Sequence, residues 1–413
     1  MTPLLVCAVW LCAGLAGAPL LRRVRHRRAS AFIPVLAAAA VGLTSVQRLW
    51  PGPAGRGGGL VLGRPGAGLL ILSGLALAAA VAISPTVGGD EMIPGAVVGA
   101  AMAIVLSATS PLIWAAAIAL AVGALVVRWL AVAPGRSALA AGRVAGVGAA
   151  ALVGSAPFLA TAAPDTAPRS LLAGTLLAVG VAAVLAVVPL GGWAAGCLAT
   201  LRALDFAPWV ILLTPAVLIS TPALMSGLSP QTRETCGRLL LIAGLAGAVW
   251  GGVVVLAAGS RGRYGRVLLA DLALGVAALG TGQAAAASAI LLLILVHLCA
   301  APLLLHTDLR GVDVPRRLTW LALSGVPLTP GFWARFLVLE ACAAGGGPAV
   351  VAAAAAAAMI LVASVAVVLS GASSSGALPI TRGGRWVAWA AALGSLALGF
   401  APQAVSRLVF GTA

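Results

Sequence analysis

LALSGVPLTPGFWARFLVLEA, residues 321–341, is an apolar segment that carries two prolines, two glycines and one arginine. A helix that faces only lipid has no use for any of them: proline removes a backbone donor, glycine loosens the chain, and a charge in hydrocarbon is costly. The stretch reads as a spanning helix interrupted between Pro327 and Pro330, with Arg335 just beyond the interruption. Free backbone groups at such a break require protein or water around them, never lipid.

The rest of the chain points the same way. Of its 413 residues 62% are hydrophobic and only 8% charged, and the mean hydropathy is +1.13. No soluble domain covers that much apolar surface. Long Ala, Leu and Val runs without period-two alternation select helices over a closed barrel. The fold class is an all-α polytopic membrane protein. At about 20 residues per crossing, the spans are fourteen: 2–20, 30–47, 66–86, 92–107, 111–130, 143–161, 170–190, 207–226, 237–258, 266–282, 285–305, 318–342, 348–371 and 386–405. Helix breaks are expected near 188–209 and 325–335. The joint VPLGGWAAGCLATLRALDFAPW (188–209) is too apolar for an ordinary loop yet carries Arg202 and Asp205. A re-entrant helix buried in protein and an amphipathic segment in the interface both fit it.

The formal net charge is +16, and all 25 basic residues are arginine. They sit singly or in small groups between apolar runs, which is the pattern of topology determinants and not of a nucleic-acid surface. With fourteen spans and an outside N-terminus, seventeen arginines fall inside, seven outside, and Arg335 alone at membrane depth. That bias supports a multi-pass protein of the bacterial inner membrane with both termini on the outer face. The charged run RRVRHRR follows the first apolar segment, as it does at the flank of a first helix, whereas a signal peptide carries its charge in front. Codon bias of a GC-rich genome accounts for the lack of lysine. It has a chemical consequence, because arginine stays protonated at any physiological pH.

Ionisable groups inside the bilayer are functional candidates by default. Arg335 is the foremost, with an arginine snorkelling to the nearer interface as the plain alternative. Glu340 lies five residues on and hence on another face, near the end of its span. His297, in ILLLILVHLCAAPLLLH, is the one histidine well inside a span and a candidate proton relay; a satisfied core histidine is its plain alternative. Asp271, in GRVLLADLALG, sits about a turn and a half inside its span, where pairing with Arg266 is the simple expectation. The six cysteines lack CxxC or histidine-matched spacing and read as small buried hydrophobes, so no metal site or disulfide is expected. GRPGAG (63–68) follows no strand, and P-loop, HExxH and GxSxG patterns are absent. No catalytic residues and no cofactor are expected, and no nucleic-acid partner.

The opening stretch resembles the twelfth-helix motif of the antiporter-like membrane subunits of respiratory complex I, most closely subunit N. Gly325, Val326, Pro327, Gly331, Phe332, Trp333 and Phe336 match or conservatively replace that motif, and Arg335 stands where the family has lysine. AVVPLGGW (186–193) is similar to the family's break in helix seven, keeping Pro189 and Trp193, with Gly191 in place of histidine. LVHLCAAPLLL (295–305) keeps the helix-eleven histidine as His297 but has Ala301 where lysine is usual. GRYGRVLLADLALGVAALGTG (262–282) and SALAAGRVAGVGAAALVG (137–154) echo further segments, with Arg266 and Arg143 near basic positions.

The resemblance implies one membrane domain: three N-terminal helices in 1–91, antiporter-like inverted repeats in 92–226 and 237–371, and a C-terminal helix in 386–413. It also implies proton translocation coupled to electron transfer in an NADH-quinone oxidoreductase-type respiratory chain complex, with other membrane subunits and the bilayer as partners. Redox centres would belong to those partners. The proton path would be shaped by His297, Asp271 and Arg335, with Glu340, Asp205, Pro327, Pro330 and Pro189 at or near the two breaks. The family's helix-five glutamate and helix-seven lysine have no counterpart, since span 111–130 holds no carboxylate. A non-pumping scaffold subunit stays open as an alternative, as does a stand-alone secondary transporter. A transferase for lipid-linked substrates has only Asp90 and Glu91 as an adjacent acidic pair.

Overall fold

The computed structural model describes residues 64–84, 92–133, 135–160, 166–187, 190–257, 262–307, 309–370 and 378–400. The expected spans 2–20 and 30–47 lie outside these residues, as does Pro189. The protein is an all-helical membrane protein: fourteen helices are described when Ala203–Ser226, which contains a π turn, is counted once. They are α1 (Arg64–Ile83), α2 (Met92–Ser107), α3 (Pro111–Val132), α4 (Arg136–Ala160), α5 (Ala167–Val184), α6 (Gly192–Thr200), α7 (Ala203–Ser226), α8 (Pro230–Leu256), α9 (Arg263–Thr281), α10 (Ala284–Leu304), α11 (Asp313–Ser324), α12 (Pro330–Ala343), α13 (Gly347–Leu369) and α14 (Arg382–Phe400). By length and composition, nine of the described helices can cross a membrane. Twelve of the sequence-derived spans fall here; the two additional helices are α6, inside the joint 188–209, and the second half of span 318–342.

Helix ends follow local chemistry. Proline occupies the first turn of α3, α5, α8, α12 and α13, where its missing N–H has no intrahelical role. Gly282 (φ 66°) and Gly325 (φ 84°) close α9 and α11 in the left-handed conformation. α8 and α9 pack with little between them: a Cβ on Gly244 would lie 2.3 Å from the backbone nitrogen of Ala277, so only glycine permits the approach. α9 and α10 are buried along most of their length, whereas α3, α4 and α13 keep one apolar side exposed, as lipid-facing helices do. At one end of the bundle two short strands, β1 (Leu309–Arg310) and β2 (Leu378–Pro379), pair in parallel.

Both expected breaks are present. The first follows Val184: Ala186 adopts φ 54°, α6 runs only to Thr200, and α7 restarts at Ala203. α7 then loosens into a π turn at Trp209–Leu213 directly after Pro208, and the Thr214 hydroxyl donates to the carbonyl of Trp209 at 2.8 Å. The second break separates α11 from α12. Pro327 lies in the turn, Leu328 takes φ 72°, and Thr329 caps α12 by accepting from the Phe332 amide at 3.4 Å. Pro330 is the first residue of α12. The loop closes on itself, since the Thr329 hydroxyl donates to Val326 O at 2.7 Å.

Candidate functional site

The second break ends against three side chains from three helices. Arg335, in the second turn of α12, donates from Nε to Asp271 Oδ1 at 2.9 Å and from Nη2 to Asp271 Oδ2 at 2.9 Å. Its third donor, Nη1, reaches the carbonyl of Ser324 at 3.0 Å, one of the acceptors left open where α11 stops. His297 of α10 completes the cluster, with Nε2 3.1 Å from Asp271 Oδ2. The three side chains are 5%, 1% and 7% exposed for Arg335, Asp271 and His297. Arg335 therefore does not snorkel; it is an internal charge, neutralised by an internal carboxylate through a planar two-pronged contact. Gly325 is required here twice over, by its φ of 84° and because a Cβ at that position would sit 2.6 Å from Arg335 Nη1.

An ionised carboxylate only accepts, so His297 Nε2 carries the proton shared with Asp271. Its other nitrogen, Nδ1, is buried without a hydrogen-bond partner, and so is the Tyr264 hydroxyl. The two rings are neighbours, with centroids 6.0 Å apart, and Trp320 meets the tyrosine edge-on at 6.4 Å. With a neutral imidazole the cluster has no net charge, and a protonated imidazole gives it one positive charge. Among the described residues no group of three or more His, Cys, Asp or Glu gathers to hold a metal ion. The guanidinium already occupies the face of Asp271 where a cation would bind.

Asp271 thus meets Arg335 and His297 in place of the expected Arg266, whose Nη1 donates instead to Val254 O at 3.3 Å. Glu340 is exposed on α12, away from this cluster. Asp205 belongs to the other break. Its Oδ1 accepts from Arg128 Nε at 2.7 Å and lies 2.7 Å from Nη2 of the same ion pair, while Trp129 Nε1 donates to its backbone carbonyl at 3.0 Å. Asp205 is buried, but Arg128 keeps 16% of its side chain exposed. Around this pair Trp129, Trp193, Phe206 and Trp209 form a continuous set of ring contacts with centroids 5.0–5.6 Å apart. Sequence reasoning assigned Arg128 to topology and left Tyr264 without a role; burial of a tyrosine beside an intramembrane histidine has no signature in one dimension.

No protein-family model matches the chain, and no curated protein matches it. Solved structures do. A chain of respiratory complex I from Thermus thermophilus superposes with a TM-score of 0.80 at 20% identity, covering 99% of this chain and all of that one. A chain of the Mrp complex from Dietzia sp. gives 0.85 at 17% identity over 99% of this chain, which spans about half (51%) of that longer chain. A chain of the membrane-bound sulfane sulfur reductase, an archaeal respiratory membrane complex, gives 0.81 at 16% identity over 98% of this chain and 96% of its own. The fold is that of the antiporter-like membrane subunits found in complex I and Mrp assemblies.

Proposed function

We propose that this chain is a membrane-arm subunit of a complex I-like respiratory assembly in the bacterial inner membrane, and that its Arg335–Asp271–His297 cluster is a proton-handling site. The observation that carries the reading is a buried, charge-balanced cluster beside a helix break in an antiporter-like fold. In this reading Arg335 is a fixed charge paired with Asp271, and Asp271 holds the imidazolium whenever His297 takes a proton. Nδ1 is the edge through which that proton arrives or leaves. The domain reading goes with it: the two breaks fall one in each of the repeats 92–226 and 237–371, and the termini lie on the outer face. Electron transfer belongs to partner subunits.

A second reading, a scaffold that completes the membrane arm without pumping, is favoured by the saturation of Asp271. Both its oxygens are engaged by Arg335, and the chain has no lysine to carry a proton onward. Proton uptake coupled to electron transfer, measured on the purified assembly in proteoliposomes, separates the two. His297→Gln is expected to lower uptake several-fold while the assembly stays intact, and Arg335→Met to abolish it. If both variants assemble and pump like the wild type, the cluster has no part in proton transfer and the scaffold reading stands.

A further inference from the structure

At one end of the bundle the turns α7–α8, α9–α10 and α12–α13 surround a crevice of about 690 Å³. Its composition is divided. Met225, Leu241 and Ile290 give it an apolar wall built from spanning helices, while Arg233, Arg238 and Gln283 stand at its mouth. The charge at that mouth is net positive. Glu234 pairs with Arg238 at 2.5 Å, whereas Arg233 donates Nη2 to the Leu228 carbonyl at 3.2 Å and has no carboxylate partner among the described residues. Two helices also begin here, α8 at Pro230 and α10 at Ala284, with their positive dipole ends at the rim; Ser229 already accepts from the Thr232 amide of α8. The α10 cap, Gln283, makes no side-chain bond to its own helix, which leaves its amide available.

We propose that this crevice binds an anionic phospholipid, with the phosphate at Arg233, Arg238 and the start of α10 and an acyl chain along Met225, Leu241 and Ile290. A small soluble anion would use the mouth but not the wall. A neutral lipid would use the wall but leave Arg233 without a counter-charge. Only a molecule with both parts matches a positive rim placed on an apolar slot at the end of spanning helices. Nothing in this site touches the Arg335 cluster, so it stands or falls independently of proton handling.

Native mass spectrometry of the full-length chain, delipidated and then titrated with phosphatidylglycerol or with phosphatidylcholine of the same acyl chains, tests the proposal. Phosphatidylglycerol is expected to be retained preferentially, and Arg233→Gln and Arg238→Gln each to weaken it about five-fold, the usual effect of one arginine at a lipid surface. Ala287→Trp, which fills the slot from an exposed position on its wall, is expected to displace the lipid without touching a charge. Equal retention of the two lipids overturns the proposal. So does retention unaffected by both the paired arginine substitutions and Ala287→Trp, or binding of glycerol 3-phosphate as tight as that of the lipid.

Discussion

The two helix breaks solve one problem with different materials. Each interrupts a spanning helix, and each contains a non-glycine residue in the left-handed region, Ala186 in the first and Leu328 in the second. The first is filled by rings: three tryptophans and a phenylalanine exclude water, and its ion pair lies at the edge, where Arg128 retains contact with the outside. The second is filled by ions that are enclosed on every side. An enclosed ion pair depends wholly on its partners, because neither charge has water to fall back on. An edge pair does not. The second break is thus an enclosed ionic cluster, and the first an aromatic plug with an ion pair at its rim.

Removing the carboxylate from each pair is the strongest way to break that distinction. Asp271→Ala strands Arg335 without solvent and is expected to cost about 3–5 kcal/mol in thermal unfolding of the detergent-solubilised protein. Asp205→Ala lets Arg128 turn outward and is expected to cost only about 1–3 kcal/mol. Equal losses would mean that the two breaks are equally enclosed. Replacing the enclosed pair by apolar residues, Arg335→Met with Asp271→Leu, should recover most of the lost stability while leaving proton uptake abolished.

Acid provides the next largest effect, and it belongs to the second half of the molecule. His306 lies in the turn after α10, outside the spanning segment, where its Nε2 is 3.0 Å from Ala80 O and its own carbonyl accepts from Arg316. Its pKa is lowered from 6.5 to about 4, chiefly by burial; the Ala80 bond opposes the shift and the nearby Arg316 adds to it. The unfolded chain therefore takes up a proton at a higher pH than the folded one. Stability is full above about pH 6.5 and declines as the pH falls toward 4, by on the order of 3 kcal/mol. His306→Gln should flatten that slope in pH-dependent unfolding.

Backbone substitutions sharpen the comparison on a finer scale. Gly325→Ala places a Cβ in a left-handed residue and against Arg335, so a loss of at least about 2 kcal/mol is expected, with proton uptake impaired as the guanidinium shifts. Ala186→Gly and Leu328→Gly relieve a strain of about 1–2 kcal/mol but add about 0.5–1 kcal/mol of unfolded-state freedom. Each should stabilise by at most about 1.5 kcal/mol. A loss at Leu328 with a gain at Ala186 would show that the two strained residues are held for different reasons.

Much of this architecture is written in one dimension. Apolar runs bounded by Pro and Gly define α1 to α5 and α8 to α10 because a lipid-facing helix has no other solution to its backbone. The interruption at Pro327–Pro330 is equally visible, since proline acts locally. The meeting of side chains is not. Asp271 and Arg335 are 64 residues apart and Arg128 and Asp205 are 77, so their pairing depends on how α3, α7, α9 and α12 stack. Near neighbours such as Arg266 look like the natural partner on spacing alone. The joint 188–209 is ambiguous for a related reason. α6 is a short apolar helix whether it is buried or lies in the interface, and only the packing of Trp193 against Trp129 and Trp209 distinguishes the two.

The small parallel pairing of Leu309–Arg310 with Leu378–Pro379 has a mechanical consequence for the second break. It pins the chain just before α11 to the segment that leads into α14, and Arg316 fastens the first turn of α11 to the His306 carbonyl. At its other end α11 is held by Arg335 through the carbonyl of Ser324. α11 is thus a short rod held at both ends, and loss of the Arg335–Ser324 bond would leave its base pinned and its tip without that tether.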